Sequence, residues 1–573
     1  MSDVLQEAIA NYKSGNHIMV MSRLGPVVNA SKKPDPTLAL MLAQSCYKLG
    51  QMEQAALNFD RASQAALPNV RQVKLLAANL YIRIKNWTRA YEITRDMVRA
   101  NAYDYEAMAV YRACLRMLLH FDEMAESHRR VSELMDKNAH GIFGMDRPLD
   151  FVFWSSNEAH AAKLTRIDNA APLAANAAQR RRQLPHQFRD RIRVVYISND
   201  LSDRHATMRL VQGVFAAHDR QAFDVHVLCH TEDALKAIDE GMRSVIPNLM
   251  DINRLTDDIV LKQIRNLDPD IIVDLKGHTK DARLDLVNLA QAPVKVAWLG
   301  FPGINTGIDC DYTIGDRVVT PEASAALWPS KFCRLPETYQ PNDDTWRAHP
   351  PAASRSELGL PEDKVVFASF NNHQKISHDT FRLWMDVLRD APDSVLWILI
   401  ELPAARENFL KAVKKAGVDP ARIIFAEKTD YPAHVARLQA ADLGIDTFPC
   451  NGHTTTSDKL WAGLPLATMR GSSFASRVSE SLLRAIGCDG LVADGEAAYV
   501  ALNVRLATDA EFRAGWRERI AANRFRAPLF DTERFTRHLE QAFRMMVDRA
   551  RAGLDPAEID VPALPARTEP FRN

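Results

Sequence analysis

The fold class expected from this 573-residue sequence is α/β: two lobes, each a parallel sheet covered by helices, preceded by an all-α, tetratricopeptide-like superhelix. Three observations predict it. A helical pattern recurs about every 34 residues within the first 140. Short, nearly all-apolar strands then alternate with helical stretches in two separate regions. A proline-rich stretch with Pro336, Pro341, Pro350, Pro351 and Pro361 divides those regions as a linker would.

The repeats come first. Tyr12-Lys-Ser-Gly15, Tyr47-Lys-Leu-Gly50, Tyr81-Ile-Arg-Ile84 and Leu115-Arg-Met-Leu118 recur at spacings of 35, 34 and 34. The second is followed by Ala55, Phe59 and Ala62, small residues at a helix crossing with one aromatic per pair. Each helix pair hides its apolar face only by stacking on the next. An array over residues 1–140 is therefore suited to presenting a concave surface to a polypeptide, with a purely structural helical cap as the alternative.

Residues 141–190 read as a helical connector. Gly141 to Pro148 is expected to be a loop, and Asn157 to Arg182 an alanine-rich helix whose Arg180-Arg-Arg182 triplet forms a solvated end. The first lobe, 191–350, is predicted from strands at Arg193–Ser198, Phe223–Leu228, Ile271–Leu275, Val294–Leu299 and Asp311–Ile314. Strands this apolar need cover on both faces, hence a parallel sheet. Ligands of such sheets sit beyond the carboxyl ends of the strands. There stand Asn199-Asp200 onward to His205, Lys276-Gly-His-Thr-Lys280 and Gly300-Phe-Pro-Gly303, expected on one edge. Asp309-Cys-Asp311 has the spelling of a metal-binding D-x-D, but Asp311 runs straight into a strand, which favours a structural role.

The second lobe, 351–550, is predicted from strands at Val365–Phe370, Ser394–Ile400, Arg422–Phe425, Ala441–Asp446 and Leu466–Met469. Phe381, Trp384, Met385 and Leu388 mark one face of a helix capped by Ser377, and Phe535, Leu539, Phe543 and Met546 mark a last amphipathic helix. The tail, 551–573, carries Pro556, Pro562, Pro565 and Pro570 and is expected to be loosely ordered. The chain's organising stretch is the join from Asp446 to Asp458, a strand-to-helix loop. Thr455-x-x-Asp458 spells a capping box, so a helix is expected to start near Thr454 or Thr455. A helix start carries unpaired N–H groups and about half a positive charge, which suits a phosphate. Gly452 allows close backbone approach, and His453, Thr454 and Thr455 add side-chain donors. An ordinary strand-to-helix loop is the alternative, since no Walker or G-x-G-x-x-G pattern is present.

Composition narrows the function classes. Lys plus Arg equals Asp plus Glu at 72 each, so there is no global pull toward nucleic acid or an anionic membrane. The seven cysteines are scattered singly with no C-x-x-C pair, which argues against a disulfide framework or cysteine zinc site and for a reducing compartment. The acidic start Met1-Ser-Asp-Val-Leu-Gln-Glu7 has no signal-peptide core, and no run reaches the ~18 apolar residues of a membrane span. The expectation is a soluble, cytoplasmic protein.

Four stretches together resemble a known family: Trp298-Leu-Gly-Phe-Pro-Gly303, Phe370-Asn-Asn-His-Gln-Lys-Ile376, Asp446 to Asp458 with Trp461-Ala-Gly463, and Gly471-Ser-Ser-Phe-Ala-Ser-Arg-Val478. Their order and spacing are similar to those of the O-GlcNAc transferase family of inverting glycosyltransferases (family 41, including SPINDLY-type members). That family places tetratricopeptide repeats before two Rossmann-like lobes of the GT-B fold. The resemblance covers roughly 190 to 550 well and the repeats loosely. It implies a nucleotide-sugar donor, UDP-N-acetylglucosamine being the usual one, a polypeptide acceptor bound by the repeats, and no metal or other cofactor. It also implies roles by position. Lys375 falls on the lysine at the donor diphosphate, His453, Thr454 and Thr455 on the phosphate cradle, and Asp458 on the ribose carboxylate. His434 falls on the histidine against the base, Asn372 where a glutamine is common, and Leu299 and Gly300 on the sugar pocket, with His278 and Thr279 beside them.

Two departures stand out. The family offers two histidines after the first strand; His205 fits the first, as a cleft-lining or catalytic candidate, but the second falls near Met208 or Arg209. Deprotonation of the acceptor is then left to water or the donor phosphate. Thr429-Asp-Tyr431 also replaces a lysine-containing base-recognition segment, with Tyr431 where the lysine sits, so donors other than UDP-N-acetylglucosamine stay open, nonulosonic acids for flagellin among them. The expected function is an inverting, metal-independent protein glycosyltransferase. A catalytically silent tetratricopeptide scaffold and a transferase with a non-protein acceptor are the alternatives.

Overall fold

The computed structural model describes residues 2–65, 67–168, 170–237 and 241–572. Met1 and Asn573, at the ends of the first and last predicted segments, and Asn169, within the predicted connector helix, lie outside the described residues. The chain forms two compact units, Met1–Met145 with Leu402–Phe409, and Asp146–Glu401 with Leu410–Asn573.

The first unit is built from eight helices: α1 Ser2–Lys13, α2 His17–Ala30, α3 Pro36–Lys48, α4 Met52–Ala62, α5 Val70–Arg83, α6 Trp87–Ala100, α7 Tyr105–Leu118 and α8 Phe121–Asp136. Ala39, Ala43, Ala55, Ala56, Ala62 and Ala77 are fully buried where successive helices cross. The repeat is more regular in backbone than in sequence. Left-handed residues close the turn inside each pair at Gly15, Gly50, Lys85 and Leu119. The third and fourth repeats thus keep the turn after losing its glycine, although a side chain there costs about 1–2 kcal/mol.

In the second unit the connector departs from expectation. Between Asn157 and Arg182 only Glu158–Ala161 and Ala177–Arg182 are helical. Pro172 stands between them, and a proline inside a helix removes a hydrogen bond and clashes with the preceding turn. Nor is the arginine triplet solvated as a whole. Arg181 is buried, its Nε 2.8 Å from Asp309 Oδ2, its Nη2 2.8 Å from Asp311 Oδ2 and its Nη1 2.7 Å from the Ala292 carbonyl. Lys295 Nζ adds a contact of 2.8 Å to Asp309, and Arg182 one of 2.8 Å to Asp311. The D-x-D carboxylates therefore hold three of the chain's own cations and fasten the connector to the sheet.

The first lobe's sheet contains β1 Ile192–Ser198, β2 Phe223–Cys229, β3 Leu249–Asp251, β4 Ile271–Asp274, β5 Val294–Ala297, β6 Tyr312–Asp316 and β7 Lys331–Leu335. The second lobe's contains β8 Val365–Ser369, β9 Ser394–Leu399, β10 Ile423–Ala426, β11 Leu443–Ile445, β12 Leu466–Met469 and β13 Val492–Ala493; β14, Ile559–Asp560, joins the first sheet. All pairings are parallel. The orders are β14-β7-β6-β5-β4-β1-β2-β3 and β10-β9-β8-β11-β12-β13. Each lobe therefore reverses its winding once, between β1 and β4 and between β8 and β11, the Rossmann-like topology. Alternation buries both faces of the first sheet: Val194 and Tyr196 enter one core, Val195 and Ile197 the other. Strands β3, β7, β13 and β14 escaped the sequence reading, being short, or in β7 interrupted by Arg334.

Two further differences concern the C-terminal end. The helix Thr532–Arg551, read from sequence as part of the second lobe, puts Phe535, Leu539, Phe543 and Met546 into the core of the first. The tail is ordered rather than loose. Ile559 pairs with Cys333, Arg567 with Asp531, and Phe571 N donates to the Phe525 carbonyl of the second lobe at 2.9 Å. Proline-rich chain is bound here by edge pairing and side-chain clamps that composition does not reveal. All seven cysteines are buried and unpaired, and among the described residues no helix is long and apolar enough to cross a membrane.

Arg181→Ala is expected to destabilise the second unit by about 3–5 kcal/mol, because it leaves buried carboxylates short of a partner. Thermal unfolding of the purified variant checks this, with Arg180→Ala as the control.

Candidate functional site

Both reversal points face the same cleft. From the second lobe comes the loop after β11. Asp446 is fully buried; its Oδ1 accepts from the backbone N–H of Thr447 (2.9 Å) and of Gly452 (2.8 Å), and its Oδ2 from Thr468 Oγ1 (2.7 Å). These bonds fold the loop back so that the helix Thr454–Trp461 begins at the cleft, with His453 as its N-cap. Gly452 is required there, since a Cβ would lie 2.5 Å from Thr456 Oγ1 and 2.8 Å from Thr455 Oγ1.

The capping box does not form: no side chain caps this helix. Thr455 Oγ1 instead donates to Asn371 Oδ1, and Asp458 turns to other partners. The first-turn N–H groups, other than those bonded to the His453 carbonyl, thus stay available to a ligand. His453 sets Nε2 3.3 Å from the Ala475 carbonyl, and burial, reinforced by Lys375, drives its pKa well below the usual histidine value. Lys375, in the turn His373–Lys375, lays Nζ 2.7 Å from the Asn451 carbonyl, beside the helix start. Behind it, Lys459 is buried with no hydrogen-bond partner for Nζ among the described residues, and burial draws its pKa down to about 8.

Further along the cleft, Asp458 Oδ1 accepts from Tyr431 OH at 2.8 Å and Arg347 Nη2 at 3.2 Å. Arg347 also donates to Tyr431 OH (3.0 Å) and Ser457 Oγ (2.8 Å), and its guanidinium lies over the Trp461 and Phe530 rings. His434 stands 3.9 Å from Asp458 and accepts from Arg437 at Nδ1 (3.1 Å). Burial pulls its pKa to about 4 although Asp458 acts in the opposite sense.

From the first lobe, His205 caps the helix Ala206–Ala217. Its Nδ1 accepts from Thr207 N at 3.2 Å and its Nε2 lies 3.4 Å from Asp200, which also holds Lys276 Nζ at 2.6 Å. Nδ1 is thus engaged while Nε2 stands beside Asp200 on a partly exposed side chain, and desolvation lowers the pKa against the pull of Asp200. The residue at the second histidine position in the cleft is Arg209, because Met208 is fully buried in the core. Leu299 takes a left-handed φ of 76°, and Gly300 passes so close to β4 that a Cβ would meet the Leu275 carbonyl at 2.1 Å. Leu299, Gly277, Asn305 and Phe474 line a narrow crevice. His278 Nε2 donates to the Thr306 carbonyl (2.9 Å), and Thr279 Oγ1 donates to the Lys276 carbonyl (3.0 Å).

The structure thus brings together Lys375, His453, Thr454, Thr455, Asp458 and His434 on one side, with His205, Leu299, Gly300, His278 and Thr279 on the strand ends opposite. Asn372 is not among them: it is exposed and caps the turn at Gln374 N (3.1 Å). Its neighbour Asn371 is the buried one, facing Thr455 and Thr447. Sequence reasoning missed Asn371, Arg347 and Lys459. Only Asn371 carried a usable signal, the alternation of side chains leaving β8.

His434, His278 and His538 each have a pKa of about 4, against 6.5 for the unfolded chain. The unfolded state then binds more protons between those values, so stability is complete above pH 6.5 and is lost as pH falls toward 4. Each group contributes up to about 1.4 kcal/mol per pH unit in that window. Urea unfolding across pH 7 to 4 is expected to show the loss, and His538→Gln to make it shallower.

Comparison with known proteins follows the same geometry. The sequence matches the glycosyl transferase family 41 over residues 137–349 and 344–539. A probable UDP-N-acetylglucosamine–peptide N-acetylglucosaminyltransferase SEC of Arabidopsis thaliana is 33% identical over 384 residues, 65% of this chain and 38% of that protein. A UDP-N-acetylglucosamine–peptide N-acetylglucosaminyltransferase of Caenorhabditis elegans is 27% identical, over 64% of this chain and 41% of its own length. The chain thus spans about two fifths of these relatives. Among solved structures, a mutant O-GlcNAc transferase of Thermobaculum terrenum superposes with a TM-score of 0.64 at 22% identity, covering 96% of this chain and 98% of that one, which shows the same GT-B fold. With a family match across both lobes, the chain belongs to glycosyl transferase family 41.

Proposed function

We propose that this chain moves a sugar from a nucleotide-sugar donor to a protein side chain, inverting the anomeric centre and using no metal. UDP-N-acetylglucosamine, the donor in the relatives' names, is the first to assay. The observation that carries the reading is the Lys375 ammonium held beside an uncapped helix start.

In the reaction the anomeric C–O bond to phosphate breaks and its electron pair passes to the phosphate oxygen. The acceptor oxygen bonds the opposite face of the anomeric carbon. Fixed donors facing the growing charge on the diphosphate, here Lys375, the N–H groups of the helix start, Thr454 and Thr455, are worth most in such a site. Asp458 takes the ribose and His434 the base, while the sugar lies toward Leu299, Gly300, His278 and Thr279. The acceptor proton goes to water or to the donor phosphate, since Arg209 stands where the family's second histidine would. The repeats hold the polypeptide.

The silent-scaffold reading draws support from Arg209, a permanent cation where a base could stand. Mass spectrometry of co-expressed or added protein acceptors decides between them. Transfer is expected to persist in EDTA and to fall about 10²–10³-fold in Lys375→Ala, comparable to losing an oxyanion donor. Full activity in that variant would overturn the assignment. Removal of residues 1–140 is expected to abolish transfer to protein far more than hydrolysis of the donor.

A further inference from the structure

Arg209 and Tyr431 come from opposite lobes and meet. The Arg209 guanidinium carbon lies 4.2 Å from the centre of the Tyr431 ring, within the range of a cation–π contact. The polar groups near them are largely committed. Tyr431 gives its one proton to Asp458 and receives Arg347 Nε at 3.0 Å. Arg347 spends its remaining donors on Ser457 and Asp458. His434 Nδ1 is taken by Arg437. Arg209 differs. Its Nε reaches the Asp203 carbonyl only at 3.5 Å and its Nη2 the Arg204 carbonyl at 2.9 Å, while Nη1 has no partner among the described residues. This half-buried donor lies over an aromatic ring at the His434–Asp458 end of the cleft.

Resting on the reading of the cleft as a nucleotide-sugar site, we propose that Arg209 reads the nucleobase across the lobes, donating from Nη1 to a ring carbonyl. Tyr431 is then the platform that fixes the guanidinium plane, not a base contact through its hydroxyl. A guanidinium only donates. It therefore favours bases whose edge offers a carbonyl oxygen (uracil, cytosine or guanine) over adenine, whose acceptors are ring nitrogens alone. Because the reading group and the ribose carboxylate sit on different lobes, the nucleoside is gripped only when the lobes meet.

Calorimetry with UDP, CDP, GDP, ADP and inorganic pyrophosphate tests this on the full chain and on Arg209→Met, which keeps an unbranched apolar stem but removes the guanidinium. The full chain is expected to bind at least one carbonyl-bearing nucleotide about tenfold or more tighter than ADP, the scale of one lost charged hydrogen bond. Arg209→Met should remove that preference and leave pyrophosphate affinity unchanged within about twofold. Arg209→Lys, which keeps the charge but not the plane, should give an intermediate preference and guards against a folding defect in the first variant. Unaltered base preference in Arg209→Met, or an equal loss for pyrophosphate, overturns the proposal while leaving the transferase reading intact. If the full chain binds neither pyrophosphate nor any nucleotide, the nucleotide-sugar reading itself falls.

Discussion

A single buried carboxylate organises the cleft. Asp446 gathers two backbone N–H groups and a threonine hydroxyl, and so reverses the chain between β11 and the next helix. Without that reversal Gly452 would not lie against Thr455 and Thr456, the helix start would not face the cleft, and Lys375 would lose the Asn451 carbonyl that holds it. A carboxyl group this deep is tolerable because both of its oxygens accept hydrogen bonds. The low-dielectric setting that makes such bonds strong also makes the uncapped helix end an effective anion site. Packing and electrostatics are therefore one arrangement here, not two.

The same economy separates the two ends of the cleft. At one end the helix start and Lys375 are positive and face the cleft, with Lys459 buried behind them. At the other, Asp458 is already half satisfied by Tyr431 and Arg347, which fixes its orientation and leaves Oδ2 as the free acceptor. In the proposed reading, a ribose hydroxyl pair meets that oxygen in one fixed orientation.

Much of this was legible in the sequence, and the limits are physical. Strands such as Val194–Ile197 declare themselves through apolar runs, and Gly452 and Gly300 through the need for close approach. Arg181 could not be read, because its partners Asp309 and Asp311 lie about 130 residues away and a local triplet of arginines looks solvated. Thr455-x-x-Asp458 spells a cap, yet Asn371 and Arg347 compete for the two side chains and win, since both are delivered by tertiary structure. Asn371 and Asn372 differ by one residue, and at a strand end that single step separates the interior from solvent. The tail was misjudged for a related reason: prolines forbid helix, but they do not forbid an edge strand.

Three chain segments cross between the lobes: residues 336–360, the step from Phe530 to Thr532, and the run from Val561 to Phe571. They are bonded to one another, for Asp344 N donates to Thr532 Oγ1 at 3.1 Å and Arg572 donates to the Asp344 carbonyl. Segments tied in this way cannot slide or part independently, so any movement of one lobe against the other has to carry all three together. Shutting such a jaw forfeits far less disorder than docking two free bodies would. In the proposed reading, the binding energy spared in this way is available to the transfer step.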